Sequence, residues 1–211
     1  GLFFYMNHTF ENIKQIIITK PLKLDCGQTI KDFPLAYETY GELNEKKNNA
    51  ILIFHALTGD QFVAGNNPIT NKEGWWTTAV GPGKAVDTNK YFIICANVLG
   101  GCMGSFGPKS VNKENNKPYG LKFPVITIRD MVKTQEALLE HLKIEKLLSV
   151  LGGSMGGMQV LQFCALYPEK TLSAVPIAST ASHNAQQIAL NELARQAIMS
   201  DPLWNNGNYY H

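Results

Sequence analysis

The sequence predicts an α/β fold with a mainly parallel sheet. Two observations carry this. Four continuous apolar runs, at 50–56, 91–98, 147–151 and 172–178, read as strands buried on both faces of a sheet. Helix-like patterns fall between the later runs, at 126–142 and 155–167. Buried strands alternating with helices are the signature of this class.

The elements follow in order. Residues 14–20, 22–26 and 35–40 read as strands, with a turn at Asp25-Cys26-Gly27-Gln28. A polar, lysine-rich connection covers 42–49. The first apolar run follows it, then the second. The helix at 126–142 places Ile128, Met131, Val132, Leu138, Leu139 and Leu142 at helical spacing. The third run leads straight into the helix at 155–167, which Pro168 stops. After the fourth run, 181–200 reads as one helix or two, ended by Asp201-Pro202. The tail at 205–211 is loop-like.

Composition excludes several classes. The 211 residues, enough for about one to one and a half domains, are 45% apolar and 17% charged, an ordinary globular balance. A net charge of +2 with scattered lysines gives no footprint for nucleic acid or an anionic membrane. No apolar run reaches the ~18 residues of a membrane span. The opening Gly1-Leu2-Phe3-Phe4-Tyr5 is too short for a signal sequence and has no basic flank, so the natural start is expected at Met6. Cys26, Cys95, Cys102 and Cys164 form no C-x-x-C pair and no zinc spacing. Cys95 and Cys164 read as buried thiols of a reducing compartment, and the expected location is cytoplasmic.

The chemistry sits at Gly152-Gly153-Ser154-Met155-Gly156-Gly157. A G-x-S-x-G sequence between a strand and a helix is a nucleophile elbow: the sharp turn exposes the serine Oγ. The flanking glycines relieve collisions across that turn. The first helical amide, Met155 N–H, then faces the developing oxyanion. A bare glycine-rich phosphate loop is the competing reading, but no Gly-Lys-Ser/Thr follows. A second oxyanion donor is expected after an earlier strand, and Leu57 in Phe54-His55-Ala56-Leu57-Thr58-Gly59 is the candidate. His55 reads as a shaper of that turn, because the base in this architecture follows the nucleophile in sequence. The glycine-rich 97–105 segment is expected to line the pocket. Cys102 within it reads as a small pocket or core residue, since it has no elbow and no obvious partner.

These motifs belong to a wider likeness. Ala36-Tyr37-Glu38-Thr39-Tyr40-Gly41, His55-Ala56-Leu57-Thr58-Gly59-Asp60, Gly74-Trp75-Trp76 and Gly81-Pro82-Gly83-Lys84-Ala85 run in order with residues 97–108, Thr127-Ile128-Arg129-Asp130-Met131-Val132, 152–159 and 191–202. Together they resemble the homoserine O-acetyltransferases, acyltransferases of methionine biosynthesis with the α/β-hydrolase fold. The resemblance implies a cytoplasmic homodimer that moves an acetyl group from acetyl-CoA to L-homoserine through an acyl-Ser154 intermediate. It implies acetyl-CoA as cosubstrate with no bound cofactor, no metal, no nucleic acid and no membrane. It implies a core at 1–180, truncated after the sixth strand, and the beginning of a helical lid at 181–211.

The resemblance also implies an order of Ser, Asp, His for the triad. After Ser154 the chain offers Asp201, His183 and His211. No strand precedes Asp201 or His211, and Asp201 closes a lid-like helix. The expectation is therefore a fragment whose triad Asp and His are not in this chain, with no turnover by itself and an exposed apolar sheet edge. Three alternatives stay open: a succinyl-CoA-dependent transferase, a serine hydrolase or esterase, and an inactive truncated product.

Overall fold

The computed structural model describes residues 13–209. A six-stranded sheet runs through it: β1 (Lys14–Ile18), β2 (Phe33–Tyr40), β3 (Ala50–Phe54), β4 (Phe92–Ala96), β5 (Ser149–Gly153) and β6 (Ala174–Ile177). The spatial order is β1-β2-β4-β3-β5-β6. β4, β3, β5 and β6 are parallel neighbours, while β1 and β2 enter antiparallel. Among the described residues there are three α-helices: α1 (Ile128–Leu142), α2 (Met155–Leu166) and α3 (Ala185–Met199). The expected Met6 start lies outside the described residues.

Burial explains the strands. β3 is buried at every residue, and its register with β4 and β5 is in phase (Leu52 opposite Ile94 and Val150). One core joins Leu35, Leu52, Phe54, Ile94, Val132, Leu138, Val150, Val160 and Phe163, so α1 and α2 cover the same sheet face. A second cluster on the opposite face gathers Ile51, Ile53, Val63, Val80, Ile93 and Cys95.

Several expectations are corrected. The 22–26 strand is only Leu22–Lys23, paired with Thr29–Ile30 across the Asp25–Gln28 turn. Cys164 is half-buried, whereas Cys95 is fully buried. The fourth apolar run is not buried on both faces: all four residues of β6 are exposed. It hydrogen-bonds β5 on one side and has no partner strand on the other among the described residues. Of the one or two helices expected at 181–200, one forms, α3, and none of its residues is buried.

The start of α1 shows how a loop is locked to the core. Thr127 Oγ1 accepts from Asp130 N–H while the Asp130 carboxylate accepts from Thr127 N–H, a reciprocal cap. Asp130 is fully buried and also accepts the Asp25 amide at 3.1 Å, which ties the first hairpin to the helix. Thr127 Oγ1 donates to Asp25 as well, and this hydrogen bond, with Lys133 and Arg129 nearby, holds the Asp25 carboxyl below the usual range. Asp130→Ala removes the cap and strands two amides. It is expected to lower stability by about 3 kcal/mol in chemical denaturation, against about 1 kcal/mol for an ordinary exposed cap.

Candidate active site

β5 ends in the elbow and α2 begins one residue later. Ser154 between them has φ 55° and ψ −121°, a conformation that L-residues avoid and that costs about 1–3 kcal/mol. Neighbouring bonds hold it there. Its N–H donates to Ile177 O at 3.0 Å, and its carbonyl accepts Ser179 Oγ at 2.8 Å and Met158 N–H at 3.1 Å. The glycines are needed for contact. A Cβ on Gly156 would lie 2.0 Å from Phe54 O, and one on Gly152 would lie 2.4 Å from the Gly156 carbonyl carbon. The helix start is thus pressed onto the exit of β3. Ser154 is exposed.

The exit of β3 carries the second predicted element. Ala56 O accepts Gly59 N–H at 2.9 Å, closing a tight turn around Leu57 and Thr58. His55 is buried and both its ring nitrogens are engaged. Nδ1 donates to Ala56 O at 2.7 Å, and Nε2 accepts the Val98 amide at 3.1 Å. Asn97 Nδ2 stands 3.3 Å from the same Nε2. His55 therefore shapes the loop and has no nitrogen left for a substrate proton.

Leu57 and Met155 line one cavity of about 270 Å³, together with His55, Val98, Leu99, Cys102, Phe123, Pro124 and Ile126. Residues 97–102, from the glycine-rich segment, form one wall. Met155 N–H, being the first helical amide, has no intrahelical acceptor. The cavity thus adjoins the elbow through Met155 and carries both residues predicted to donate amides, on a mostly apolar wall. Cys102 sits at its rim, where partial desolvation and the nearby Asp60 charge push its thiol up, away from thiolate reactivity.

Asp201 and His183 lie elsewhere. Exposed Asp201 accepts Leu203 N–H at 2.8 Å and caps a short 3₁₀ turn. His183 borders a different groove, with Ile128, Met158 and Leu161. His211 lies outside the described residues. Among the described residues, no group of three or more His, Cys, Asp or Glu gathers to hold a metal, and no helix is long and apolar enough to cross a membrane.

Sequence reasoning missed two buried polar supports. Asn97 Oδ1 accepts Met103 N–H, and Asn97 O accepts Ser105 Oγ at 2.6 Å, which folds the glycine-rich loop back on itself. Gln159, fully buried in the second turn of α2, reaches His55 O. The available signal was a polar residue on a helix face otherwise occupied by Gly156, Val160 and Phe163.

Burial holds the His55 pKa below its ordinary 6.5. The unfolded chain therefore binds a proton that the folded chain resists. Stability is full above pH 6.5 and falls as pH drops below it towards the folded pKa. Melting temperatures across this range are expected to show that decline, and His55→Gln to flatten it.

Comparison with known proteins agrees with this geometry. A family profile described as the alpha/beta hydrolase fold matches residues 49–211. A homoserine O-acetyltransferase of Pelagibacter ubique (strain HTCC1062) is 69% identical over 198 residues, covering 94% of this chain and 53% of that protein. The crystal structure of a homoserine O-acetyltransferase from Bacillus anthracis is similar at TM-score 0.84 and 33% identity, covering 93% of this chain and 54% of the other. Esterase E22 is similar at TM-score 0.82 and 36% identity, covering 93% and 56%. The chain spans about half the length of the curated relatives it matches. With the elbow, the parallel sheet and the profile match in agreement, the chain belongs to the α/β-hydrolase fold family.

Proposed function

We propose that the protein carrying this chain is a homoserine O-acetyltransferase. The observation that carries the reading is 69% identity over 94% of the chain to a protein of that name. The site supports the same class of chemistry. Ser154 Oγ attacks the thioester carbonyl of acetyl-CoA and gives its proton to a histidine base. The carbonyl electrons move to oxygen, and the Leu57 and Met155 amides stabilise that charge. Collapse breaks the C–S bond, the histidine returns the proton to the leaving thiolate, and acetyl-Ser154 remains. The homoserine hydroxyl then attacks the ester while the same base takes its proton; collapse breaks the Oγ–C bond, releases O-acetylhomoserine, and the base returns the proton to Ser154 Oγ.

The Asp and His of the triad are proposed to come from residues beyond 1–211, because His183 and Asp201 stand outside the cavity that Leu57 and Met155 line. Residues 1–180 act as the core and 181–211 as the beginning of a helical lid. In support, every residue of α3 stands away from the core. The protein is proposed to act in methionine biosynthesis, in the cytoplasm, as a homodimer.

A specific observation favours a second reading. Esterase E22 shares this part of the fold at almost the same TM-score as the B. anthracis acetyltransferase. The two chemistries differ only in which hydroxyl, homoserine's or water's, meets the acyl-serine. With the full-length protein, acetyl-CoA and saturating homoserine, O-acetylhomoserine is expected to form faster than acetate. Acetyl-CoA is expected to outcompete succinyl-CoA. Acetate as the main product would favour the esterase, and preference for succinyl-CoA would reassign the donor.

A further inference from the structure

Gln159 stands out in the core. It is fully buried on a helix face shared with Gly156, Val160 and Phe163, where an apolar side chain would pack without desolvation cost. Its Nε2 donates out of the helix to His55 O at 3.3 Å and back within α2 to Met155 O at 3.4 Å. Its Oε1 is buried with no hydrogen-bond partner among the described residues. A buried acceptor left without a partner lowers stability, and such costs concentrate where function requires them.

The two carbonyls reached by Gln159 identify the requirement. His55 precedes the Leu57 turn by two residues, and Met155 is the first residue of the elbow helix. The two segments already touch where Gly156 lies under Phe54 O. That contact sets how closely they approach, but a steric stop does not prevent them from parting or sliding. A donor shared between their carbonyls does. Resting on the acyl-transfer reading above, we infer that Gln159 is a positioning residue, a tie that holds the Leu57 and Met155 amides in register around one oxyanion. It touches no substrate. It acts through the two backbone segments whose amides do.

Gln159→Met is the test, because methionine matches the side chain in length and removes both the donor and the orphaned acceptor. In the full-length protein the variant is expected to melt at or above the native temperature. The rate of acyl-Ser154 formation is expected to fall about tenfold or more, with both acetyl-CoA and 4-nitrophenyl acetate, at unchanged KM. Rates are normalised to molecules that react with a fluorophosphonate, so loss of folded protein does not imitate the effect. Hydrogen exchange of residues 55–59 reads the tie without acyl chemistry, and is expected to quicken in the variant. Native normalised acylation, a rise in KM at unchanged kcat, or unchanged exchange would each overturn the inference. If the native protein acylates with neither donor, the acyl-transfer reading fails, and the exchange result still judges the tie.

Discussion

The site depends on one contact, that of the first turn of α2 with the exit of β3. Gly156 allows it, since any side chain there would run into the Phe54 carbonyl. Because the two segments touch, Leu57 and Met155 border a single cavity. Because β5 must turn into α2 within one residue to make the contact, Ser154 takes its positive φ. The strain of about 1–3 kcal/mol is sustained by bonds to Ile177 and Ser179 at the end of β6. The end of β6 thus holds the backbone of Ser154.

A polar layer behind that contact makes it rigid. His55 fastens the Leu57 turn to Val98, and Asn97 fastens the glycine-rich wall. Gln159 bridges the turn and the helix. None of these groups is free to take a proton from a substrate. In the acyl-transfer reading proposed above, they hold the backbone around the cavity fixed, so that little reorganisation would be needed when charge develops.

Much of this was legible in the sequence, for physical reasons. Strands buried on both faces must be apolar throughout, so β3, β4 and β5 announced themselves as continuous runs. The elbow was legible because the turn admits so few residue types. Burial of β6 was not, since its apolar residues resemble those of the interior and exposure is decided by which neighbours are present. The Thr127–Asp130 cap was written in the sequence at the right spacing, but apolar periodicity does not report it. The two-residue ladders, such as Val80–Gly81 with Val86–Asp87, carry too little pattern to detect. Gln159 was hidden because its partners are backbone carbonyls. The choice between homoserine and water as acyl acceptor has no signature in the elbow or its two amides, which serve either.

The proposed chemistry requires Ser154 to be a working nucleophile. Intact-mass measurement of the full-length protein, mixed rapidly with acetyl-CoA in the absence of homoserine, tests it most directly. A gain of one acetyl group is expected, mapped by peptide fragmentation to Ser154, discharged on adding homoserine and absent in Ser154→Ala. Acetylation at any other residue, or turnover that survives Ser154→Ala, would contradict it.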